Sequence, residues 1–293
     1  MRLSEVLDKY VKKLRYVDRA SEATVRNYVS SIKKFISVVG DKEVNDVRER
    51  DIEEFLIKLG EEGYKESSIL RHYSAIRSFL KYCRVSVDWD VIKPSRERKS
   101  PFDFIILEPE EVQAIIEYAS EKNYVYGLML RLGYEALLRA GELTNLKVSD
   151  IDFERCMVLV KVEKTGTVME KPISMKLCRD LRDYVLRNNL SSEDYLFTTK
   201  FGKKWNPSTF TTYVFTNVVQ ELGINDKYVR VKGRPVRYHD FSRHTRATEL
   251  LRKGVDIYTV NRLLGHKSIQ STLVYLHFVG EDLRRRLKDV NEH

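Results

Sequence analysis

The chain has 293 residues, of which 42% are hydrophobic, which is enough for two domains that each have a core. Its 52 Lys and Arg residues outnumber its 43 Asp and Glu residues, and the net charge of +9 favours a polyanionic partner such as nucleic acid. Cysteines without CxxC spacing argue against a disulfide or zinc framework, and no apolar run reaches the roughly 18 residues of a membrane span. We therefore expect a soluble, cytoplasmic protein without a membrane partner.

The first part of the chain shows helical periodicity only. Apolar residues recur at helical spacing in several segments up to residue 86, and glycines such as Gly40 and Gly60 end two of them. This pattern predicts a helical domain over residues 1–87, with four helices joined by short loops. Residues 88–103 hold two prolines and four basic residues, which predicts an interdomain linker. Its charge suits a segment that runs along phosphates, although a solvated tether explains the same composition.

A second domain is expected over residues 104–293, and its pattern changes along the chain. Helical patterns start at Pro109 and continue over residues 124–147. A β-rich run, a turn at residues 164–167 and a second β-rich run predict a hairpin within a small antiparallel sheet. Helical patterns then return in five segments: 175–188, 207–222, 241–253, 256–264 and 268–277. The predicted fold class is mainly α with a small antiparallel β-sheet.

Four segments of this second domain carry residues that suit chemistry on a phosphodiester. They are Leu-Leu-Arg139-Ala-Gly-Glu142-Leu, the hairpin turn with Lys164, the run from His239 to Thr248, and Leu-Leu-Gly-His266 with Tyr275 nine residues later. In this order, the motifs resemble those of the tyrosine recombinases, the family of phage integrases and Xer resolvases. The resemblance covers the whole chain and is strongest over residues 239–277. It implies a two-domain clamp with a helical core-binding domain and a mixed α/β catalytic domain.

The chemistry of strand cleavage explains the central residue types. Two guanidinium groups can hold the non-bridging oxygens of a phosphate and offset the charge that builds up in the transition state, and Arg139 and Arg243 are the candidates. The resemblance implies that Tyr275 attacks phosphorus and forms a covalent 3′-phosphotyrosyl link. Such a link conserves the energy of the phosphodiester, so that rejoining needs no ATP. No metal or other cofactor is expected.

Proton transfer and orientation fall to other residues. The leaving 5′ oxygen needs a proton, which the flexible ammonium of Lys164 can supply, with Lys161 and Lys171 as alternatives. His266 can hydrogen-bond the phosphate or move a proton. Glu142 follows Arg139 on the same helix face and is expected to orient the site.

One departure from the family pattern leaves a choice open. The family places a His three residues before its second Arg, but here Asp240 lies three before Arg243 and His239 lies four before. An Asp beside a phosphate would repel it unless its charge were offset, whereas a His suits the position chemically. Either Asp240 fills the slot, or one residue is inserted and His239 fills it, and we lean to His239. His244 is expected to support the site.

The expected partner is double-stranded DNA with specific recombination sites, bound by a homo-tetramer. Basic residues between 227 and 237 suit phosphate contacts, and the amphipathic tail at 281–290 suits docking onto a neighbouring subunit. The expected activity is site-specific recombination. Two alternatives remain at this stage: a type IB topoisomerase-like nicking and closing enzyme, and a DNA-binding relative whose site has decayed. The target sequence and the direction of recombination do not follow from these residues.

Overall fold

A computed structural model describes residues 1–94, 104–161 and 168–291, with side chains up to Gly280. Lys164 and residues 95–103 of the expected linker therefore lie outside the described residues. The chain divides into two compact units, Met1–Lys99 and Ser100–His293. Within the described ranges, no helix is both long and apolar enough to cross a bilayer.

The described residues of the first unit contain α-helices and no named β-strand. Its helices are α1 (Leu3–Lys12), α2 (Glu22–Val39), α3 (Glu49–Glu61) and α4 (Glu66–Tyr82). Each turns an apolar stripe inward, and Phe35, Ile52 and Phe55 are fully buried where the stripes meet. Ser21 caps α2 by accepting a hydrogen bond from Thr24, and Gly40 ends it with a φ of 82°.

The residues that follow α4 pack on this same unit. Trp89 lies against the ring of Tyr73, and its carbonyl accepts a hydrogen bond of 3.1 Å from the Tyr73 hydroxyl. Ile92 is buried in the same core. Residues 88–94, which the sequence assigns to a linker, are thus packed where they leave the first unit.

The second unit combines ten helices in its described residues with one small sheet. The helices are α5 (Pro109–Lys122), α6 (Tyr124–Glu135), α7 (Ala140–Asn145), α8 (Met175–Arg187), α9 (Pro207–Phe210), α10 (Asn217–Glu221), α11 (Ile224–Lys232), α12 (Arg246–Arg252), α13 (Ile257–Leu264) and α14 (Gln270–Asn291). The strands are β1 (Ile151–Asp152), β2 (Met157–Lys161) and β3 (Val168–Pro172). They form an antiparallel sheet in the order β1-β2-β3. The predicted class, mainly α with a small antiparallel sheet, is confirmed.

The long helical region predicted over residues 124–147 is wrong in one respect, because the chain breaks between α6 and α7. Leu137 adopts a φ of 50°, a left-handed conformation that a helix cannot continue through. The break turns the chain so that Arg139 stands just before the first turn of α7. It also leaves the carbonyl of Leu137 free of the helical hydrogen-bond ladder, and two buried side chains of the site bind this oxygen.

Candidate active site

Arg139 is held at the start of α7 by the carboxylate that follows it. Its backbone N–H donates to Glu142 Oε2 at 2.8 Å, and its Nη1 donates to Glu142 Oε1 at 2.6 Å. The side chain of Arg139 is 44% exposed, whereas that of Glu142 is 17% exposed. Glu142 thus holds the guanidinium of Arg139 while leaving part of it exposed.

Arg243 is fully buried and anchored to two backbone carbonyls. Its Nη1 donates to Leu137 O and its Nη2 donates to Leu264 O, each at 2.7 Å. The Nε–H has no hydrogen-bond partner among the described residues. Burial and the charge of Arg139 lower the pKa of Arg243 to about 10, so the group stays cationic at neutral pH. The carbonyls fix the plane of this guanidinium, and unused donors remain on it.

His266 follows Gly265, which ends α13 in a left-handed conformation with a φ of 64°. The side-chain N–H of Asn261 donates to the His266 carbonyl at 3.2 Å. The side-chain oxygen of Asn261 therefore faces Thr272 and accepts a hydrogen bond of 2.7 Å from its hydroxyl. The hydroxyl of Thr272 must then accept from His266 Nδ1 at 3.0 Å. The neutral ring therefore carries its proton on Nδ1, and its bare Nε2 faces Arg243 Nη2 at 3.4 Å.

Tyr275 lies in α14 and is only 1% exposed. Its hydroxyl is 2.8 Å from His244 Nδ1, and the Phe104 ring stacks on His244 with centroids 4.1 Å apart. Phe104 also stacks on Tyr275 itself, at 5.8 Å. Burial raises the pKa of Tyr275 to about 12, although the nearby charge of Arg243 works in the opposite direction. The hydroxyl is thus protonated and sheltered in this form of the protein.

The two candidates for the family's His position have different surroundings. Asp240 is buried and binds Arg234 through both oxygens, at 2.7 and 2.9 Å, and it accepts the Arg237 N–H at 2.9 Å. His239 is exposed at one side, and its ring stands edge-on to His244 with centroids 4.6 Å apart. Desolvation, and then the charge of Arg243, lower the pKa of His239. The charge of Asp240 is therefore offset by an arginine outside the predicted site.

The backbone at this point contains a π turn over Asp240–Thr245, inside the helix that continues as α12. A π turn holds one residue more per hydrogen-bonded turn than an α-helix does, and such turns are frequent at functional sites. A residue four positions before Arg243 is therefore brought toward the face that a residue three before would occupy in a regular helix.

The predicted lysine Lys164 lies outside the described residues, but both alternatives on the strands are described. Lys161 has a side chain that is 76% exposed, with Asp150 at 3.7 Å. Lys171 is fully buried, donates to Leu137 O at 3.2 Å and lies 3.8 Å from Glu142 Oε2. Among the described residues, no group of three or more His, Cys, Asp or Glu side chains has an arrangement that could hold a metal ion.

Several supporting residues were not predicted. Leu137, Phe104, Asn261 and Thr272 all touch the candidate site. Leu137 begins the Leu-Leu-Arg139 motif and Thr272 lies between His266 and Tyr275, but neither was assigned a role. Phe104 and Asn261 lie outside the motifs, so their contacts follow only from the fold.

Comparisons with known proteins agree with the predicted family. Residues 106–280 match the family described as Phage integrase family, and residues 7–84 match the Phage integrase, N-terminal SAM-like domain. A tyrosine recombinase of Pseudothermotoga lettingae is 34% identical over 96% of both chains. Tyrosine recombinase XerA of Pyrococcus furiosus is 28% identical, covering 98% of this chain and 94% of its own.

Solved structures share the fold at lower sequence identity. The Tn1549 transposon integrase in complex with transposon right end DNA has a TM-score of 0.72 and 14% identity, covering 98% of this chain and all of that one. A lambda integrase dimer bound to a COC′ core site has a TM-score of 0.69 and 22% identity, covering 94% of this chain and 95% of that one. These likenesses extend over both units of the chain.

Proposed function

This chain belongs to the phage integrase family and is a site-specific tyrosine recombinase, and on that premise we propose that Tyr275 cleaves DNA through a 3′-phosphotyrosyl intermediate. The phenolic oxygen bonds to phosphorus while the bond from phosphorus to the 5′ oxygen breaks. The reverse reaction with another strand's 5′ hydroxyl rejoins the DNA without ATP. The main support is that Arg139, Arg243, His266 and Tyr275, from separate segments, meet around the buried guanidinium of Arg243.

The two guanidinium groups are proposed to bind the non-bridging oxygens of the scissile phosphate. Arg139 is half open to solvent and Arg243 has an Nε–H without a partner among the described residues, so each has donors for such an oxygen. Their positions are set before DNA binds, by Glu142 and by backbone carbonyls. Donors held in advance stabilise a transition state at little cost in reorganisation.

His239 is proposed to be the third ligand of the phosphate, or the partner of the attacking hydroxyl. The π turn supports this choice because it compensates for the extra residue before Arg243. Asp240 is proposed to be structural, since Arg234 and the Arg237 N–H already occupy its oxygens. His239 thus takes the position that the sequence left open between the two residues.

Lys164 remains our proposal for the proton donor to the leaving 5′ oxygen. The described strands support it indirectly, because Lys171 is fully buried, and Lys161 lies beside Asp150. His266 is proposed to contact the phosphate. Because Nδ1 of the neutral ring donates to Thr272, its Nε2 could donate to a phosphate oxygen only after taking up a proton.

Tyr275 is 1% exposed and Arg243 is 0% exposed, so the residues that cover them must move before a DNA phosphate can reach either side chain. Breaking the contact with His244 and the stacking with Phe104 is therefore part of the proposed reaction path. The start of α14 carries Tyr275, so movement of this helix would present the hydroxyl. Movements of this kind commonly control when an active site is assembled.

The proposed domains are a core-binding domain over residues 1–87, a basic linker over 88–103 and a catalytic domain over 104–293. The proposed partner is double-stranded DNA with specific sites, which fits the net charge of +9 and the DNA complexes among the similar structures. We further infer a homo-tetramer on two sites, with the tail at 281–293 docking on a neighbour, and a cytoplasmic location with the DNA. A lambda integrase tetramer bound to a Holliday junction is among the similar structures and supports this assembly.

Covalent trapping on DNA tests the proposal and identifies the substrate. The purified chain would be incubated with fragmented genomic DNA and the reaction stopped with denaturant. The DNA that remains attached to the protein would then be sequenced. Tyr275→Phe should give no adduct while binding the recovered duplex nearly as well as the unmodified chain. Tyr258→Phe is the control, because Tyr258 is 75% exposed and lies in the neighbouring helix α13. An adduct formed by Tyr275→Phe would overturn the assignment.

A two-site assay separates recombination from simple nicking and closing. A plasmid with two copies of the recovered site should yield exchanged products, whereas a topoisomerase-like enzyme would only relax it. If the chain were a DNA-binding relative whose site has decayed, the unmodified chain would form no adduct in the trapping experiment.

A further inference from the structure

Lys171 is a buried lysine that the proposed reaction does not use. It lies in β3 opposite Val158, and both residues are fully buried. Lysine is almost never fully buried unless it is paired, because its ammonium loses its hydration. A position on an inward-facing strand would ordinarily hold an aliphatic residue.

The contacts of this ammonium lead to both catalytic arginines. Its Nζ donates to Leu137 O at 3.2 Å, the same oxygen that binds Arg243 Nη1 at 2.7 Å. On its other side, Glu142 Oε2 is 3.8 Å away, and Glu142 holds Arg139. Lys171 therefore stands between the group that anchors Arg243 and the group that anchors Arg139.

The fold does not depend on this lysine for hydrogen bonding. Without Lys171, Leu137 O would still bind Arg243, and Glu142 would still bind Arg139 through both oxygens. No buried acceptor would be left without a donor. Replacement of a buried ion by an apolar side chain of similar size is often neutral or stabilising. An unbranched methionine at this position should thus fold at least as well as the lysine.

The charges around Lys171 indicate that its protonation sets the net charge of the site. Arg139 and Arg243 face it as cations, Glu142 as an anion, and His266 is near enough for the ammonium to disfavour the charged imidazole. With a neutral lysine and a neutral His266, the arginines and Glu142 leave one net positive charge, which matches a phosphodiester. With a charged lysine the site has one positive charge more, which suits the additional negative charge of the transition state.

We propose that Lys171 is a positioning and charge-matching residue of the recombination site, whose buried amine takes up a proton when the scissile phosphate binds between Arg139 and Arg243. The proposal rests on the proposed function of that site. Lys171 acts through Leu137 and Glu142 and does not touch DNA. It is thus distinct from Lys164, the proposed donor to the leaving oxygen.

Above about pH 7, the surroundings of Lys171 favour a neutral amine before DNA binds. Burial lowers the pKa of Lys171 to about 7, Glu142 opposes this shift, and Arg243 and Arg139 add to it. Because the unfolded chain has an ordinary lysine pKa of about 10.4, it binds more protons than the folded chain between about pH 7 and pH 10. This group therefore makes the folded protein gain stability as the pH rises through that range, and lose it as the pH falls.

The first experiment uses no DNA. Thermal unfolding of the full chain and of Lys171→Met would be compared between pH 7 and pH 10. We expect Lys171→Met to melt at a higher temperature near pH 7, with a gap that closes toward pH 10. Lys147→Met is the control, because the Lys147 side chain is 39% exposed and pairs with Glu193. If the difference in melting temperature between Lys171→Met and the unmodified chain did not depend on pH, the assignment of a buried neutral amine would be wrong.

The second experiment uses the duplex recovered by covalent trapping. Calorimetry at pH 8.5 in buffers of different ionisation enthalpy should show proton uptake by the unmodified chain and by Lys147→Met, and clearly less by Lys171→Met. Single-turnover cleavage by Lys171→Met should be about tenfold to a hundredfold slower, with duplex affinity nearly unchanged. Equal uptake or equal cleavage rates would overturn the proposal for Lys171. If the unmodified chain forms no adduct at all, the proposed function fails, while the melting experiment still tests the lysine.

Discussion

The two units bury their polar residues for different purposes. In the first unit Asp51 is buried at the start of α3, where it accepts the Arg48 N–H at 2.7 Å and pairs with Lys42 at 2.7 Å. Its charge thus serves a helix end. In the second unit Arg243 and Lys171 are fully buried and both bind the carbonyl of Leu137, between α6 and α7, and Arg243 also binds the carbonyl of Leu264 at the end of α13.

Asp51 thus serves the fold, whereas the buried cations of the second unit bind backbone carbonyls and are also proposed to serve the reaction. The first unit could exchange many of its polar groups for others that cap helices. The second unit holds like charges close together, which costs stability unless an anion arrives to offset them. Variants of the second unit should therefore mainly slow cleavage, whereas variants of the first unit should mainly lower stability.

The largest effects on cleavage are expected at the guanidinium groups. Arg139→Ala and Arg243→Ala should each slow cleavage by at least about a hundredfold, the scale of losing one donor to a transition-state oxygen. Arg139→Ala should leave the melting temperature almost unchanged, because the side chain is 44% exposed. Arg243→Ala should also lower it, because Leu264 O loses the Arg243 donor and Leu137 O keeps only Lys171. Single-turnover cleavage and thermal unfolding measure both, and a loss below tenfold for either would contradict its proposed phosphate contact.

Variants of His239 and Asp240, which are neighbours in one turn of helix, should also differ in whether they affect cleavage or stability. His239→Ala should slow cleavage about tenfold to a thousandfold with little change in stability. Asp240→Ala should instead destabilise the protein, because the Arg234 guanidinium would lose its carboxylate. Cleavage of a suicide duplex, corrected for the folded fraction, compares the two. If Asp240→Ala is the slower enzyme after that correction, the carboxylate fills the slot and our choice is wrong.

Removal of the tail tests a smaller effect, on assembly. A chain ending at Val279 keeps Tyr275, so cleavage of a single site should change by only a fewfold. Exchange between two sites should fall more strongly, because the proposed contact between subunits is gone. Parallel one-site and two-site assays make the measurement. Normal exchange by the shortened chain would show that the tail packs on its own subunit.

The smallest effect on cleavage is expected in the first unit. Ile52→Val removes one methylene from a fully buried side chain and should cost about 0.5–1.5 kcal/mol of stability. Because Ile52 lies in the core of that unit, the cleavage rate of bound DNA should stay within about twofold. Denaturant unfolding and single-turnover cleavage separate the two quantities. A large loss of cleavage by Ile52→Val without loss of DNA binding would contradict the proposal that variants of the first unit mainly affect stability.

Much of this organisation could be predicted from the sequence because the relevant signals are local. Apolar stripes predicted the four helices of the first unit, and the β-rich runs on either side of residues 164–167 predicted an antiparallel hairpin. Arg139, Arg243, His266 and Tyr275 were found through motif spacing, and the structure brings them into one region. Their roles in the reaction remain to be measured.

The features that escaped prediction depend on contacts between distant residues. The periodicity of residues 124–147 continues across Leu137, so the pattern did not reveal the left-handed break there. The burial of Lys171 depends on the packing of β3 against residues far along the chain, and a lysine on a predicted strand is usually exposed. Asp240 could be recognised as structural only once Arg234 was seen to bind both of its oxygens.

The π turn at Asp240–Thr245 has a practical consequence for finding related proteins. A helix can absorb an inserted residue by widening one turn, so that every residue after the insertion keeps its orientation. On our proposal that His239 fills the family's His position, a search pattern with a fixed spacing between His and Arg would reject this chain. Patterns that permit one additional residue wherever a helix can widen would recover such divergent members. Deletion of one residue from this turn, with the sequence otherwise unchanged, would recreate the common spacing for direct comparison.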